Sequence, residues 1–227
     1  MKTIIIGGGH WDLDFLKGFI EDFNDPLLYI IACDSGFETC IALGLEPQVI
    51  IGDFDSVSED GLKRIKASRA KVVELNPVKD DTDIEAALQV AIDNTNDWDE
   101  IYILGGTGKR IDHLLGNINL LGLGLKKNRN VIIVDEYNYI QMITAGQVKQ
   151  IKRSEQFGKY VSVFPYLGKA SGVTMTGFKY PLSKATLEGF NTLTVSNEIL
   201  EERATIELTA GYLIVCESRD LKISSKS

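Results

Sequence analysis

Two acidic residues with a spacing suited to metal chemistry stand directly after an apolar run in this sequence. Asp53 and Asp55 follow the apolar run 49–51 and flank Phe54. Residues two positions apart on an extended chain point to the same side, so both carboxylates can approach one ion. Mg²⁺ prefers hard oxygen ligands and usually takes one or two carboxylates together with phosphates and water. We interpret the pair as a candidate magnesium site, with a simple turn as the alternative explanation.

A second acidic cluster, Asp80, Asp81 and Asp83, lies at the predicted start of a helix. Thr82 and Glu85 are typical of a capping box that opens this helix. Acidic residues are favourable near a helix N-terminus because of the helix dipole alone. The three aspartates together exceed what capping requires, so the cluster is a second candidate for function.

A glycine-rich segment after the apolar run 101–104 carries two adjacent cations, Lys109 and Arg110. Its glycines are Gly105, Gly106 and Gly108. Flexible backbone offers amide donors, and two cations beside it form a reasonable phosphate site. The segment is not a Walker motif, because Ile103 and Arg110 stand where that motif needs Gly and Ser or Thr. Asp112, in the predicted first turn of the next helix, is either part of this site or a partner of the helix dipole.

Another glycine turn, residues 7–9, follows the apolar run 3–6. A dinucleotide-binding fingerprint requires a third glycine at the position that Asp12 occupies, so that motif does not match. Two interpretations stay open: a tight turn between a strand and a helix, and a loop that cradles a phosphate.

The elements that must position these residues alternate between short apolar runs and segments of helical periodicity. Ile84, Ala87 and Leu88, for example, begin an apolar stripe at helical spacing. Such a pattern predicts an α/β fold whose sheet is mostly parallel, has helices on both faces, and binds ligands beyond the carboxyl ends of its strands. The predicted strands are 3–6, 27–33, 49–51, 71–75, 101–104 and 131–134.

The second half of the chain has a different rhythm. Its runs are rich in β-branched and aromatic residues and are separated by Gly, Pro, Ser or Asn, which predicts a C-terminal antiparallel β-sandwich. We place the boundary between a domain of residues 1–135 and a domain of residues 136–227. The predicted strands of the second domain are 138–144, 160–164, 172–175, 192–195, 205–208 and 212–216.

Composition limits the classes of partner. The 227 residues carry a net charge of −8, which argues against a protein that grips the nucleic acid backbone. Residues 1–135 carry a net −10 and residues 136–227 a net +2, so an anion bound by the first half needs metal ions or well-placed cations. No run approaches the roughly 20 apolar residues of a membrane span. The short apolar stretch at the start and the three widely spaced cysteines predict a cytoplasmic protein without a disulfide framework.

In order and spacing, the motifs of this chain resemble the signature segments of thiamine pyrophosphokinases. The segments that carry the resemblance are 52–56, 80–83 and 105–113 in the first half and 164–166, 172–174, 177–182 and 196–198 in the second. The resemblance therefore spans nearly the whole chain. One departure concerns the segment after the second predicted strand, where the family often has Ala-Asp-Gly-Gly and this chain has Ala-Cys-Asp-Ser-Gly at 32–36. A second concerns 193–195, Leu-Thr-Val, where the family often has a small residue and Thr before Ser-Asn.

The resemblance implies a nucleotide-binding domain followed by a thiamine-binding domain, paired as a homodimer with thiamine between the subunits. It implies transfer of the terminal diphosphate of ATP to the thiamine hydroxyl, giving thiamine diphosphate and AMP, with Mg²⁺ as cofactor. Carried over by position, the metal and catalytic acidic site comprises Asp53, Asp55, Asp80 and Asp83. The triphosphate region would be held by Gly105, Gly106, Gly108, Lys109, Arg110 and Asp112, with Arg110 also catalytic. The thiamine pocket would be lined by Ser196 and Asn197.

Three other interpretations stay open at the level of sequence. Residues 50–57 resemble the nucleophile segment of haloacid-dehalogenase-like phosphatases, in which Asp53 would be phosphorylated and Asp55 would act as acid and base. A non-catalytic sensor of nucleotides or thiamine compounds could use the same scaffold. Diphosphate transfer to another alcohol, such as a pterin, is the third. The identity of the carboxylate that accepts the alcohol proton also stays open.

Overall fold

The computed structural model describes residues 2–9, 12–76, 82–189 and 192–220. The chain forms two compact units, Met1–Glu136 and Tyr137–Ser227. The first unit mixes helices with parallel strands and the second consists of antiparallel strands, which confirms the predicted fold class. Among the described residues, no helix has the length and apolar composition needed to cross a membrane.

The first unit alternates strands and helices along the chain. Its described strands are β1 (Lys2–Ile6), β2 (Tyr29–Cys33), β3 (Val49–Gly52), β4 (Lys71–Glu74), β5 (Glu100–Leu104) and β6 (Asn130–Val134). Its described helices are α1 (Leu13–Glu21), α2 (Gly36–Leu43), α3 (Glu59–Ala67), α4 (Asp83–Asp93) and α5 (Ile111–Lys126). The strands pair in the order β4-β3-β2-β1-β5-β6, and every pairing is parallel.

The central strand β1 is covered on both faces. Ile4, Ile5 and Ile6 are all fully buried, although successive side chains of a strand point to opposite faces of the sheet. Helices α2 and α4 both pack against β1, while α5 packs against β6. Continuous apolar runs therefore correspond here to buried parallel strands, as the sequence predicts.

The strand order reverses at β1. From β1 the chain builds β2, β3 and β4 on one side, then returns to add β5 and β6 on the other. Connections from β1 and β5 leave the sheet in opposite directions at such a point, which opens a crevice beyond the carboxyl ends of the strands. The turns after β1, β2 and β5 are the ones that meet there.

The second unit is a set of antiparallel strands. They are β7 (Asn138–Thr144), β8 (Val148–Lys152), β9 (Tyr160–Thr176), β10 (Leu182–Glu188), β11 (Asn197–Glu198), β12 (Arg203–Glu207) and β13 (Ala210–Ser218). Strand β13 lies between β7 and β9, and β12 lies between β9 and β8. Strands β10 and β11 also pair with β9.

Strand β9 connects the two parts of this unit. Its first part pairs with β11 and most of β13, and its last part pairs with β10 and β12. Between these parts Leu167 and Gly168 have φ values of 55° and 117°, which redirect the strand. Val163 from the first part and Val173 from the last belong to one buried core cluster. The arrangement as two facing sheets of a sandwich stays a prediction.

Two sequence expectations for the second unit are wrong. Residues 192–195 form a turn instead of a strand, in which the Val195 amide donates to the Thr192 carbonyl at 3.2 Å. The predicted strands 160–164 and 172–175 are parts of the single strand β9, because the chain stays extended through Pro165. Strands β8 and β10 were not predicted, since their charged and mostly exposed residues lack a clear apolar alternation.

Candidate active site

A cleft of about 440 Å³ lies in the first unit at the reversal of strand order. Its walls come from the turns after β1, β2 and β5, from Ser56 after β3, and from the N-terminal parts of α4 and α5. The lining residues are Gly7, Gly8, Gly9, Cys33, Asp34, Ser35, Ser56, Thr82, Asp83, Ile84, Gly105, Gly108, Lys109, Arg110, Asp112, His113, Gly116 and Asn117. Carboxylates thus face a glycine-rich turn that carries two cations.

The glycines after β1 allow the neighbouring turns to approach closely. A Cβ on Gly8 would overlap the Ser35 hydroxyl, and one on Gly9 would lie 2.8 Å from the Gly105 carbonyl oxygen. Close packing of three turns therefore explains these glycines without a ligand. Their role as a phosphate cradle stays a prediction.

Asp34 is a cleft residue that the sequence analysis did not select. It follows β2, has a φ of 46°, and its Oδ1 accepts a hydrogen bond from the Phe54 amide at 3.1 Å. Burial raises the pKa of Asp34 to about 7, and a hydrogen bond to Asp83 adds to the rise. The same signal that selected Asp53, an aspartate directly after a buried strand, could have found Asp34.

The Asp53–Asp55 segment has a different backbone from the one assumed in the sequence argument. Phe54 has a φ of 63°, so the chain is not extended here, and the Asp55 amide donates to Asp53 Oδ1 at 3.2 Å. Asp53 lies near enough to Asp34 for its charge to raise the Asp34 pKa further. Neither Asp53 nor Asp55 lines the cleft, whereas Ser56 does. Metal binding by both carboxylates stays a prediction.

The start of α4 brings another predicted carboxylate into the cleft. Thr82 is the N-cap, and its hydroxyl accepts from the Glu85 amide at 3.2 Å, which is the Thr82 half of the predicted capping box. Asp83, the first residue of α4, lines the cleft and contacts Asp34. Asp80 and Asp81 lie outside the described residues.

Two charged side chains at the start of α5 form an exposed pair. Arg110 Nη2 donates to Asp112 Oδ2 at 2.5 Å and Arg110 Nε donates to Asp112 Oδ1 at 3.2 Å. The hydrogen bonds from Arg110 lower the pKa of Asp112 to about 2, and the same contact raises the pKa of Arg110. Both residues line the cleft beside Lys109. A phosphate that enters must therefore compete with Asp112 for the guanidinium group.

The glycines of this segment divide into two groups. Gly105 and Gly108 line the cleft, whereas Gly106 does not. A Cβ on Gly106 would contact Ile103 and Ile133, and its carbonyl accepts from the Asn117 side chain at 2.8 Å. The predicted phosphate-binding glycine at 106 thus faces the core in this structure. Asn117, buried on α5, was missed because a lone Asn in a leucine-rich helix carries no sequence signal.

The described residues offer a limited set of oxygen ligands for Mg²⁺. No group of three or more His, Cys, Asp or Glu side chains among them has a metal-binding arrangement. Asp34 and Asp83 nevertheless share a hydrogen bond, with the charge of Asp53 nearby. Carboxylates held this close favour a proton or a cation between them. Because Mg²⁺ needs only one or two protein carboxylates beside phosphates and water, this set fits the ion.

The predicted thiamine residues belong to the second unit. The Asn197 side chain accepts from the Tyr180 amide at 3.0 Å and donates to the Tyr180 carbonyl at 2.8 Å. It is 4% exposed and also accepts from the Glu198 amide, so most of its hydrogen-bonding capacity is used internally. Ser196 is exposed and has a φ of 59°. Contact of either residue with thiamine stays a prediction.

Two family descriptions match this chain, one in each unit. Residues 21–133 match the catalytic domain of thiamin pyrophosphokinase. Residues 149–213 match the vitamin B1 binding domain of thiamin pyrophosphokinase. The first match contains most of the cleft residues, and the second contains Ser196 and Asn197.

Whole proteins of known name show the same relationship. The chain is 36% identical to thiamine pyrophosphokinase of Bacillus subtilis (strain 168), over 97% of this chain and all of the relative. A crystal structure of the Bacillus subtilis thiamine pyrophosphokinase superposes with a TM-score of 0.85 at 35% identity, covering 97% of this chain and 100% of that one. The Geobacillus thermodenitrificans structure gives 0.84 at 31% identity, covering 98% and 99% of the two chains. This chain therefore belongs to the thiamine pyrophosphokinase family.

Proposed function

We propose that the enzyme carries out its reaction at the cleft of the first unit and requires Mg²⁺. The reaction is that of its family, in which the terminal diphosphate of ATP moves to thiamine and yields thiamine diphosphate and AMP. The observation that carries the location is the opposition within one cleft of acidic Asp34 and Asp83 to basic Lys109 and Arg110. Such a site can hold a polyphosphate between carboxylates that bind a metal cation and basic side chains that bind the phosphates themselves.

The acidic side would hold the cation. We assign Asp53, Asp55 and Asp83 to it, together with Asp80, which the sequence pattern places in the same segment as Asp83. When bound, Mg²⁺ would neutralise phosphate charge and orient the β-phosphate. Before ATP and its cation bind, this side of the site is lined by carboxylates.

The basic side would bind and orient the triphosphate. Lys109 and Arg110 supply positive charge, and the backbone at Gly105 and Gly108 supplies amide donors near the cleft. During transfer the thiamine hydroxyl attacks the β-phosphorus, the bond to the α-phosphate oxygen breaks, and AMP leaves. One cleft carboxylate accepts the hydroxyl proton. Catalysis then consists mainly of positioning and charge neutralisation, as in other phosphoryl transfers.

Thiamine binding is assigned to the second unit. The match of residues 149–213 to a vitamin B1 binding domain supports a role for Ser196, whose side chain is exposed, and for its neighbour Asn197. We further propose a homodimer in which thiamine lies between subunits. A cytoplasmic location agrees with the use of ATP and with three free cysteines at positions 33, 40 and 216.

The test is one incubation with ATP, Mg²⁺ and thiamine, followed by separation of the nucleotides and thiamine species. Thiamine-dependent AMP matched one for one by thiamine diphosphate is the expected result. Asp83→Asn should lower kcat by about 100-fold or more, because it removes a charged group from the cation side. Asp93→Asn, at the other end of α4, is the matched control and should retain wild-type activity.

Other products would identify the alternative enzymes. Free phosphate with a trappable phosphoenzyme at Asp53 would indicate the phosphatase, although the similarity to kinases over 97% of the chain argues against it. Binding of both substrates without turnover would indicate a sensor. Turnover with a pterin alcohol in place of thiamine would identify a different acceptor.

A further inference from the structure

The segment 53–58, here called the Asp loop, needs an external support. It contains Asp53, Asp55 and the cleft residue Ser56, and it connects β3 to the N-cap of α3. Phe54 within it adopts a φ of 63°, which is uncommon for an aromatic residue. A conformation of this kind persists only where the surroundings hold it.

The first support of the Asp loop comes from Asp34. Its Oδ1 accepts the Phe54 amide at 3.1 Å, and a Cβ on Gly52 would overlap that same oxygen. The Asp34 amide in turn donates to the Ile51 carbonyl at 3.0 Å. Asp34 therefore fixes the exit of β3 through both its backbone and its side chain.

The second support of the Asp loop comes from Glu38 on α2. Its Oε1 accepts the Ser58 amide at 3.1 Å, at the far end of the Asp loop. Ser58 is the N-cap of α3, and its own hydroxyl accepts from the Gly61 amide at 3.1 Å. The Ser58 amide is the group that a capping box satisfies with a Glu or Gln at the third helical position.

Helix α3 has Gly61 at that third position, so it cannot complete the capping box with its own side chain. A Cβ on Gly61 would lie 2.9 Å from Glu38 Oε1, so the missing side chain makes room for the carboxylate of α2. The negative charge at this place also favours the N-terminus of α3. Glu38 thus replaces a local capping residue with one from a neighbouring helix.

Asp34 and Glu38 act from one short segment. They are four residues apart, and the Phe37 amide donates to the Asp34 carbonyl at 3.0 Å, which joins Asp34 to the first turn of α2. The two ends of the Asp loop are therefore held by a single element.

We propose that Glu38 is a positioning residue, which completes the capping box of α3 from α2 and, with Asp34, holds the Asp loop in its cation-binding conformation. This inference rests on the proposed function, because it takes Asp53 and Asp55 as cation ligands. Glu38 itself does not line the cleft. Its effect on the reaction passes through the loop.

The experiment compares Glu38→Ala, Glu38→Gln and the control Glu59→Ala. Gln keeps an oxygen that can accept the Ser58 amide, whereas Ala does not. Glu59 is an exposed residue in the first turn of α3, so its removal takes away the same charge near the same helix end without touching the loop. Hydrogen exchange of peptides covering 53–58 is measured on the metal-free protein. Mn²⁺ binding is measured by loss of the free-ion resonance signal, and activity is measured against Mg²⁺ concentration.

Glu38→Ala should increase exchange in the peptides covering 53–58 and weaken Mn²⁺ binding by about 10-fold, the usual effect of losing a group that orients a metal ligand. The Mg²⁺ concentration for half-maximal activity should rise in parallel, while kcat at saturating Mg²⁺ stays within about twofold. Glu38→Gln and Glu59→Ala should match the wild type in all three measurements.

Wild-type exchange and Mn²⁺ affinity in Glu38→Ala would overturn the inference. A loss of Mn²⁺ affinity in Glu38→Gln as large as that in Glu38→Ala, or an equal loss in Glu59→Ala, would also overturn it. Either result would mean that the effect comes from the removed charge and not from the hydrogen bond to Ser58. Failure of the proposed function is recognised separately. In that case the wild-type protein binds no Mn²⁺ and Asp53→Asn keeps full activity, while hydrogen exchange still reports whether Glu38 holds the loop.

Discussion

Polar residues of the sequence motifs have two different roles in this structure. Some present groups to a ligand, and others hold the backbone together. Arg110 and Asp112 form a bidentate pair on the surface of the cleft, where a ligand can displace it. Asn197 instead uses its side-chain amide to hydrogen-bond the backbone of Tyr180 within the second unit. Both Asp112 and Asn197 belong to motifs of the family, but only the first has groups that a substrate can reach without a change in packing.

The Arg110–Asp112 pair gives a pH-dependent contribution to stability. The folded pKa of Asp112 is about 2, below the unfolded value of roughly 3.9, so the folded state binds the proton less readily. The pair therefore stabilises the fold above about pH 4 and loses this contribution as the pH falls towards 2. The difference in unfolding free energy between wild type and Asp112→Asn should stay constant above pH 4 and narrow below it. Denaturant titrations across this range would contradict the prediction if the difference did not change.

We expect the Asn197 side chain to contribute to the stability of the fold, whether or not it also contacts thiamine. Asn197 is buried, and replacing it with Ala removes both hydrogen bonds to the Tyr180 backbone, which should cost about 2 kcal/mol of unfolding free energy. Ser196→Ala is the matched control, because the neighbouring Ser196 is exposed whereas Asn197 is buried. Equal stability of both variants by urea denaturation would show that the Asn197 side chain has no such structural role.

At the scale of elements, helix ends are held by residues distant in sequence. Arg129, only 9% exposed, donates to the carbonyls of Ile92 and Thr95, which lie at the C-terminal end of α4. It also donates to the Thr95 hydroxyl and to Asp97. A cation at a helix C-terminus is favoured by the dipole, and here it also donates to the Thr95 carbonyl just beyond the helix end.

Removal of the Arg129 guanidinium should destabilise the first unit. Arg129→Met keeps the apolar stem but removes the guanidinium that bonds the Thr95 carbonyl, the Thr95 hydroxyl and Asp97, so the unfolding free energy should fall by about 3 kcal/mol. Arg64→Met is the comparison, since Arg64 pairs with Asp60 on the surface of α3 and should contribute at most about 0.5 kcal/mol. Similar losses for the two variants in chemical denaturation would refute the assignment.

The elements also show where sequence patterns stop being informative. The six parallel strands were all predicted. Five of them contain buried apolar runs such as Ile4–Ile6 without polar alternation, whereas β4 is mostly exposed. The Asp34–Asp83 contact was not predicted. These residues are 49 positions apart, and only the order of the strands in the sheet brings them together. Strand β8, with only Ile151 buried, looks like a loop until its partners are known.

At the scale of the whole molecule, the proposed site combines the cleft of one subunit with the second unit of another. Each of Asp53→Asn and Ser196→Arg should then be inactive alone, the latter because a cation opposes cationic thiamine. After the two variants are unfolded and refolded together, about a quarter of wild-type activity should return, because about half of the dimers are mixed and each of these has one intact site.

Failure to regain activity in the mixture, with dimers present by light scattering, would contradict the intersubunit arrangement. Two controls are needed. Each variant refolded by itself must stay inactive, and wild-type protein taken through the same cycle must recover its activity.

The position of β13 has a consequence for how the chain folds during synthesis. The parallel pairings of the first unit need no residue beyond 134, whereas β7 and the first part of β9 must wait for residues 210–218. Domains generally fold as they leave the ribosome, and long-range strand pairing is slow. The first unit can therefore be native while β7 and β9 still expose open edges. Unpaired strand edges are templates for aggregation, so we expect the risk of aggregation to be raised in the interval before β13 emerges.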